Sequence, residues 1–264
     1  MNCIFGLFDI LGFKSFCENC DPKSSEVVLA ILDGFETDVP EMVWLELGSG
    51  QKPPPDKVAI ISNRLRWLTF SDTVFVAMPL EDSAHPDELK FNLIFFAILV
   101  KYFNRRMFEI GLPVRGCLDI GEVFLGKRSF AGKAIADAYE FGQQPQAAVT
   151  LVSNQANKFL FDVFSNRGGF RDMFENMIVE CQIPTKNGAS EKLKTLCWFY
   201  LHLGRSNPFT IPNDLNKFIT EQFTALGKTL GEKDKAKIVN TEKLFKDWQA
   251  ANHLNYLKDK FHCR

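Results

Sequence analysis

The sequence is poor in the residues that build nucleic-acid surfaces and zinc centres. Its 31 lysines and arginines are balanced by 32 aspartates and glutamates, and it has only 4 histidines. The formal net charge is −1, and no long basic run breaks this balance. Such a composition argues against a dedicated nucleic-acid-binding protein, but it allows a local pocket for a small anion.

Paired cysteines and long apolar segments are also missing. The 7 cysteines are odd in number and scattered, which favours reduced thiols over a disulfide framework. Cys17 and Cys20 form a single C-x-x-C pair, and no second pair or histidine cluster completes a zinc site. No secretory leader is evident, and the longest apolar helix candidate, residues 91–103, is too short to span a bilayer. We therefore expect a cytoplasmic protein that does not enter membranes.

Phenylalanine, by contrast, is abundant. The chain has 26 phenylalanines and is 46% hydrophobic, which predicts a substantial core rich in aromatic rings. The apolar patterns predict an α+β protein with a mostly antiparallel sheet and helices on one face. The last part of the chain has charged amphipathic helix patterns. We accordingly expect one domain over residues 1–205 and a C-terminal helical extension over residues 206–264.

Several element boundaries follow from turn and capping residues. Residues 3–9 are predicted to form a strand, and the next strands, near 64–70 and 73–78, to form a hairpin around Ser71 and Asp72. Ser24 or Ser25 is a plausible helix N-cap. Residues 114–124 have the pattern of a strand, a turn and a second strand, and two later strands are predicted near 177–183 and 196–201.

Two aspartates stand inside apolar, strand-like segments. Asp9 interrupts the run over residues 3–13, and Asp72 lies within the similar run over residues 68–76. A carboxylate in such a setting needs a partner, because removing it from water costs several kcal/mol, roughly. The two carboxylates could meet around a hard cation such as Mg²⁺. The alternative is that each aspartate caps a helix or closes a turn.

Four motifs, in order along the chain, resemble the class III nucleotide cyclase catalytic domain. Residues 8–13 (FDILGF) are similar to the opening F-x-D-I-x-G-F of that family, and residues 70–72 (FSD) resemble the segment with its second metal aspartate. Residues 112–123 resemble the family strand that ends in H-x-G-x-V, and residues 132–139 stand where the family has G-x-x-V-N-x-A-x-R. The match covers about residues 3–155 and implies a ferredoxin-like α+β sandwich. In finer detail, the Phe-Ser-Asp-Thr, Arg-Gly and Ala-Tyr sequences within these motifs look like those of the pyrimidine nucleotide cyclases of bacterial anti-phage (Pycsar) signalling.

The resemblance implies a metal-dependent enzyme. Asp9, Asp72 and the backbone carbonyl of Ile10 would bind two Mg²⁺ or Mn²⁺ ions, and two copies of the chain would form a homodimer with the active site between them. The implied reaction converts UTP into cyclic UMP and pyrophosphate, and the product acts on a separate effector. CTP is the nearest alternative substrate, followed by ATP or GTP. A catalytically inactive module that binds a nucleotide is an alternative of another class.

The residues that select the base depart from those of purine cyclases. Leu68 stands where those enzymes have Lys or Glu, and Ser129 falls near their Asp or Cys, so the usual adenine pair is absent. Arg66 could donate to a pyrimidine carbonyl or a phosphate, or it could be a structural arginine at a sheet edge. Tyr139 could stack on a base or pack on the sheet.

The transition-state residues depart from the family as well. The family's Asn and Arg are replaced by Ala136 and Glu140, so positive charge must come from elsewhere. We favour Arg115, because an arginine within an apolar strand needs an anionic partner, although Asp119 or Glu122 could be that partner instead of substrate. The remaining candidates for substrate contacts lie beside Asp9 and are Phe8, Gly12 and Phe13.

Overall fold

A computed structural model describes residues 1–47, 62–80, 85–127, 129–164, 174–198 and 214–262. The strands are β1 (Asn2–Ile10), β2 (Arg66–Phe70), β3 (Thr73–Pro79), β4 (Val114–Glu122), β5 (Phe124–Leu125), β6 (Phe130–Ala131), β7 (Thr150–Val152), β8 (Ile178–Pro184) and β9 (Ser190–Leu196). The helices are α1 (Phe13–Asn19), α2 (Pro22–Leu47), α3 (Pro86–Glu109), α4 (Lys133–Gly142), α5 (Asn154–Val163), α6 (Leu215–Thr224) and α7 (Glu232–His262).

Seven strands form one sheet in the order β2-β3-β1-β4-β7-β9-β8. All neighbouring pairs are antiparallel except β4 and β7, which run parallel. The first half of the chain follows a β-α-β-β-α-β path, and its strands lie in the order β2-β3-β1-β4, which is the ferredoxin-like arrangement. The predicted α+β class with a mostly antiparallel sheet is confirmed.

The alternation of side chains along β1 divides the core between the two faces of the sheet. Ile4, Phe8 and Ile10 join the cluster formed with α2 and α3, whereas Phe5 and Leu7 join a smaller cluster under α4. The prediction of helices on one face only was therefore incomplete. α4 covers part of the second face, which leaves the end of β1 accessible beside it.

Two local predictions were wrong. Residues 114–122 form one continuous strand, because Gly121 is used for close packing: a Cβ there would lie 2.7 Å from the Cβ of Ala134. The strand predicted near residues 196–201 overlaps β9 only at Leu196, and residues 199–201 lie outside the described residues. The helix after α1 is capped by Asp21, whose carboxylate accepts from the amide of Ser24 at 3.0 Å.

The described part of the C-terminal extension shares a core with the sheet. Phe245 and Trp248 of α7 pack with Phe108 of α3 and with Trp198, which follows β9. The expected boundary between residues 205 and 206 lies outside the described residues. No helix in the described part of the chain has the length and apolar character needed to cross a bilayer.

Candidate functional site

The two aspartates lie on adjacent backbone segments at the end of β1. Asp9 is paired in register with Thr73 of β3, and the amide of Ile10 donates to the carbonyl of Asp72 at 2.7 Å. Asp72 occupies the tight β2–β3 turn, in which Ser71 adopts a left-handed φ of 55°. The antiparallel register thus brings together two residues that are far apart in the sequence.

Arg115 binds Asp9 directly. The two residues are paired in register between β1 and β4, and both Nε and Nη2 of Arg115 lie 3.0 Å from Oδ2 of Asp9. Asp119 and Glu122 were the partners expected for this arginine within the protein. The structure gives Asp9 instead, because the β1–β4 register places these two side chains opposite each other.

Arg115 is buried, with 8% of its surface exposed, and it is held by further acceptors. Nη1 donates to the carbonyl of Pro145 at 3.2 Å, and Nη2 donates to Oε1 of Gln143 at 2.5 Å. Lys186, in the β8–β9 turn, donates to the same Oε1 at 3.1 Å. Burial lowers the pKa of Lys186, and the neighbouring Arg115 lowers it further, whereas Asp9 raises it. The site therefore contains two cations and a carboxylate.

Gln143 and Lys186 were not identified from the sequence. Gln143 follows the last residue of α4, and Lys186 lies in a turn, so neither belongs to a recognisable motif. Both line a surface pocket together with residues of α4 and of the β8–β9 hairpin, including Glu140 and Thr185. Their proximity to Arg115 results from the packing of α4 on β4 and from the hydrogen bonds of this hairpin to residues 144–146, and the sequence offered no signal for either.

Asp72 lies near α1, on the side of β1 opposite to Arg115. Burial raises the pKa of the Cys17 thiol, and the charges of Cys20 and Asp72 add to this rise. Cys17 is exposed, and Cys20 bonds to Ser25 through its Sγ at 2.9 Å. Within the described ranges, no three or more His, Cys, Asp or Glu side chains form a group that could hold a metal.

The donors at the end of β1 nevertheless fit a magnesium ion. Mg²⁺ is commonly bound by one or two carboxylates together with water and substrate phosphates, rather than by a complete cage of protein ligands. Asp9 and Asp72 supply two carboxylates, and Arg115 uses only Oδ2 of Asp9. A carboxylate oxygen can accept more than one hydrogen bond, so Oδ2 of Asp9 can have a second partner, and Oδ1 offers further lone pairs for a metal ion. Asp9, Asp72 and the Ile10 carbonyl are therefore compatible with divalent metal ions.

The candidate substrate contacts next to Asp9 differ in accessibility. Phe8 is buried and packs on Phe103 with ring centroids 4.9 Å apart, so its side chain belongs to the core and only its backbone is near the site. Gly12 has a left-handed φ of 76° and precedes α1. Phe13 is half-buried and packs on Phe16.

The base-selecting candidates form a second group. Leu68 packs in the same cluster as Phe75 and Phe130, and the ring of Phe130 stacks on Phe75 at 4.3 Å. Ser129 is exposed just before Phe130, and its carbonyl accepts from the amide of Gly126 at 2.7 Å. Strand spacing separates the Cα atoms of Leu68 and Asp9 by roughly 12 Å. Leu68 thus lies on the same face of the sheet as Asp9, and Ser129 directly precedes Phe130, which belongs to the same cluster as Leu68.

Arg66 and Tyr139 have different surroundings. Nη1 of Arg66 donates to the carbonyls of Asn63 and Leu65 at 2.8 and 3.1 Å, which agrees with a structural arginine on the edge strand β2. Tyr139 is 50% exposed on α4 and does not pack fully on the sheet. Ala136 and Glu140 are exposed on the same helix.

Comparisons with known proteins gave distant structural likenesses only. No family model matches the chain. No curated protein matches it. Its structure is similar to the adenylyl cyclase CyaB from P. aeruginosa, at 13% identity and a TM-score of 0.40, over 74% of this chain and 93% of that one.

Two further likenesses are of the same kind. A bacterial light-regulated adenylyl cyclase matches at 10% identity and a TM-score of 0.45, over 86% of this chain and 58% of that one. The guanylyl cyclase Cya2 matches at 13% identity and a TM-score of 0.36, over 74% of this chain and 90% of that one. Likenesses of this size assign neither a family nor an activity to this chain.

Proposed function

We propose that this chain is a nucleotide cyclase that converts a nucleoside triphosphate, preferably UTP, into the 3′,5′-cyclic nucleotide and pyrophosphate. The observation that supports the proposal is the adjacency of the backbone segments that carry Asp9 and Asp72, since the amide of Ile10 bonds to the carbonyl of Asp72 at 2.7 Å. The four sequence motifs that resemble class III cyclases supply the reaction type.

The reaction forms a bond between the ribose 3′-oxygen and the α-phosphorus and breaks the bond from that phosphorus to the bridging oxygen of pyrophosphate. The hydroxyl proton is released, and pyrophosphate leaves with the electron pair. Two Mg²⁺ or Mn²⁺ ions, when bound by Asp9, Asp72 and the carbonyl of Ile10, would supply charge neutralisation and lower the pKa of the 3′-hydroxyl.

The cationic side chains take the place of the missing Asn and Arg. Arg115 orients the Asp9 carboxylate through two charge-assisted contacts of 3.0 Å, and its burial keeps this geometry fixed. Lys186 lies next to Arg115 and can attract the triphosphate. Glu140 does not bind polyphosphate in this proposal, since its charge would repel it.

The preference for a pyrimidine rests on Leu68 and Ser129. Leu68 cannot hydrogen-bond a purine edge, and it packs against aromatic rings within the cluster under α4. Ser129 offers one hydroxyl, which can serve as donor or acceptor. UTP is our preferred substrate, and CTP is the closest alternative.

The homodimer is part of the same proposal. Phe70, Phe124 and Tyr139 are 82%, 63% and 50% exposed, and they belong to β2, β5 and α4. Phe70 shares the sheet face of Leu68, and α4 and the β5–β6 hairpin cover that face. Exposed aromatic residues gathered on one side of a molecule mark interaction surfaces. A second copy seated there would bring its own residues next to this site, and the cyclic product would leave to act on a separate effector as an anti-phage messenger.

The decisive experiment is incubation of the purified full chain with UTP, CTP, ATP or GTP and Mn²⁺, followed by mass analysis of the products. We expect cyclic UMP and pyrophosphate, and we expect Asp9→Asn and Asp72→Asn to reduce turnover at least about 100-fold without unfolding the protein. Asp87→Asn is the matched control, because Asp87 is 83% exposed at the start of α3. Full activity of either site variant at limiting metal would contradict the metal assignment.

One observation favours a second candidate function, an inactive nucleotide-binding module. Glu140 lines the same pocket as Gln143 and Lys186, where a triphosphate would meet its negative charge. Such a module would bind a nucleotide, as calorimetry could measure, and would release no pyrophosphate. Metal-dependent turnover of any triphosphate would exclude it.

A further inference from the structure

The linker between α6 and α7, residues 225–231, lies against the segment that follows Asp9. The amide of Thr229 donates to Oγ of Ser15 in α1 at 2.9 Å. Gly227 has a left-handed φ of 74°, and a Cβ there would come within 3.0 Å of the carbonyl oxygen of Asn19. The linker, which belongs to the C-terminal extension, therefore packs tightly along α1, the helix that follows Asp9 and Gly12.

Lys228 is the centre of this contact. Only 5% of its surface is exposed, and its ammonium group donates to the carbonyl of Gly111 and, at 3.3 Å, to the carbonyl of Gln222. Its aliphatic stem lies beside Gly12, where an added Cβ would be 3.3 Å from Cδ of Lys228. One side chain thus contacts both Gly12 and Gly111.

Each of these two glycines lies in a loop next to one of the strands that carry Asp9 and Arg115. Gly12 follows β1, which ends with Asp9 and Ile10, and Gly111 precedes β4, which begins with Val114 and Arg115. Both glycines have left-handed φ values, 76° and 81°. The two loops also contact each other directly, since the amide of Leu11 donates to the carbonyl of Pro113 at 2.8 Å.

We propose that Lys228 is a positioning residue that clamps the loop after Asp9 to the loop before Arg115 and thereby sets the geometry of the Asp9–Arg115 pair. Its effect on turnover rests on the proposed cyclase function, whereas its effect on the two loops does not. Lys228 does not touch the substrate in this proposal. It acts through the two loops that it contacts, the one after Asp9 and the one before Arg115.

The charge of Lys228 supports a role beyond packing. Burial lowers the pKa of Lys228 to about 8, and Asp234, in the first turn of α7, raises it by a smaller amount. Asp234 is itself paired with Lys237 at 2.8 Å. The ammonium group donates to the carbonyl oxygen of Gly111, in the loop between α3 and β4, and to that of Gln222 in α6. Hydrogen bonds from a charged donor are the stronger ones, so the clamp weakens when the amine becomes neutral.

Hydrogen exchange of the full chain tests the clamp without any assumption about activity. In Lys228→Met, which keeps an aliphatic stem and removes the ammonium group, we expect amides in residues 10–16 and 110–115 to exchange about tenfold faster. Lys233→Met is the control, because Lys233 is exposed in the first turn of α7. Unchanged exchange in both loops of Lys228→Met would overturn the proposal.

The wild-type chain provides a second test that does not depend on how the variant folds. Between pH 7 and pH 9.5, we expect both loops to lose protection after correction for the intrinsic exchange rate, because Lys228 becomes neutral over this range. Equal protection of both loops at the two pH values would contradict the clamp.

Kinetics distinguish positioning from a merely structural role. If the chain is a cyclase, we expect the wild type to lose activity above a pH of about 8, and we expect Lys228→Met to lower kcat about tenfold and to lack this decline. An alkaline limb that persists unchanged in Lys228→Met would overturn the positioning role. A wild-type chain that turns over no triphosphate would overturn the cyclase function alone, and the exchange data would still decide the clamp.

Discussion

At the scale of single residues, the site depends on a charge pair that the strand register enforces. Arg115 has little freedom, because its guanidinium group bonds at once to Asp9, Gln143 and the carbonyl of Pro145. A buried arginine with three acceptors is a fixed source of positive charge rather than a mobile one. Its position therefore sets where the Asp9 carboxylate points.

The sequence could identify Asp9, Asp72 and Arg115 as candidates, because each is a charged residue within an apolar segment. It could not show that Arg115 binds Asp9 rather than Asp119 or Glu122. That choice depends on a register between strands whose paired residues are 106 positions apart, and no local pattern encodes it.

Asp119 is a second buried carboxylate, and its role is structural. Its Oδ1 accepts from the amide of Ile120 at 2.8 Å and from the hydroxyl of Ser153. Burial raises the pKa of Asp119 above its ordinary value of 3.8, and these two hydrogen bonds oppose the rise. The folded state therefore binds this proton more tightly than the unfolded state does, so the ionised form disfavours folding.

We expect Asp119→Asn to remove part of the pH dependence of stability. In the wild type, the free energy of unfolding contributed by this group falls as the pH rises from 3.8 through the raised pKa of the folded state. The variant should lack this slope and should be at least as stable as the wild type at pH 7. Thermal unfolding between pH 4 and pH 7 measures both quantities. A variant that retains the full slope, or that is clearly less stable at pH 7, would contradict this account.

At the scale of elements, the last residue of α4, Gly142, lies directly against the backbone of β4. A Cβ on Gly142 would lie 2.9 Å from the carbonyl carbon of Gly116 and 3.0 Å from the amide nitrogen of Cys117. Both are backbone atoms, which cannot move aside as a flexible side chain can. The close approach places Gln143, the residue after Gly142, within reach of Arg115.

Gly142→Ala should therefore push the end of α4 away from β4. We expect a loss of about 1–3 kcal/mol in the free energy of unfolding and a weaker Gln143–Arg115 contact. Gly34→Ala, within α2, is the matched comparison, because its nearest neighbour is the carboxylate of Asp38 at 3.1 Å. Its stability should rise by about 0.5–1 kcal/mol. Equal stabilities of the two variants in urea unfolding would show that the contact between α4 and β4 is not tight.

The predictions of strands and helices succeeded where a long run of apolar residues defines the element. They failed where a glycine could serve either in a turn or in close packing. β1 was predicted over residues 3–9 and forms Asn2–Ile10, because a long apolar run defines it. A turn was predicted within residues 114–124, yet Gly121 is a packing glycine inside β4. Glycine has no side chain to tell these two uses apart in a sequence.

At the scale of the whole molecule, the proposed dimer makes a prediction about an exposed ring. Phe70 is 82% exposed at the end of the edge strand β2. We expect Phe70→Glu to weaken self-association and to lower cyclase activity, because a charge would have to be desolvated at the interface. Sedimentation velocity at several concentrations measures the assembly state.

The comparison for this prediction is Leu29→Glu. Leu29 is 58% exposed on α2, which packs on the other face of the sheet. The two variants introduce the same charge on opposite sides of the molecule, so only the first should affect the dimer. If both remain as associated as the wild type, the face around Phe70 is not the interface.

The position of Lys228 also affects how the protein matures during its synthesis. β1 is synthesised before its partner β4 and before Lys228, which follow more than a hundred and more than two hundred residues later, respectively. Contacts of such long sequence separation form late in folding. A nascent chain therefore carries Asp9 long before Arg115 and Lys228 are available, so the two loops beside Asp9 and Arg115 can take their final form only after residue 228 has been made.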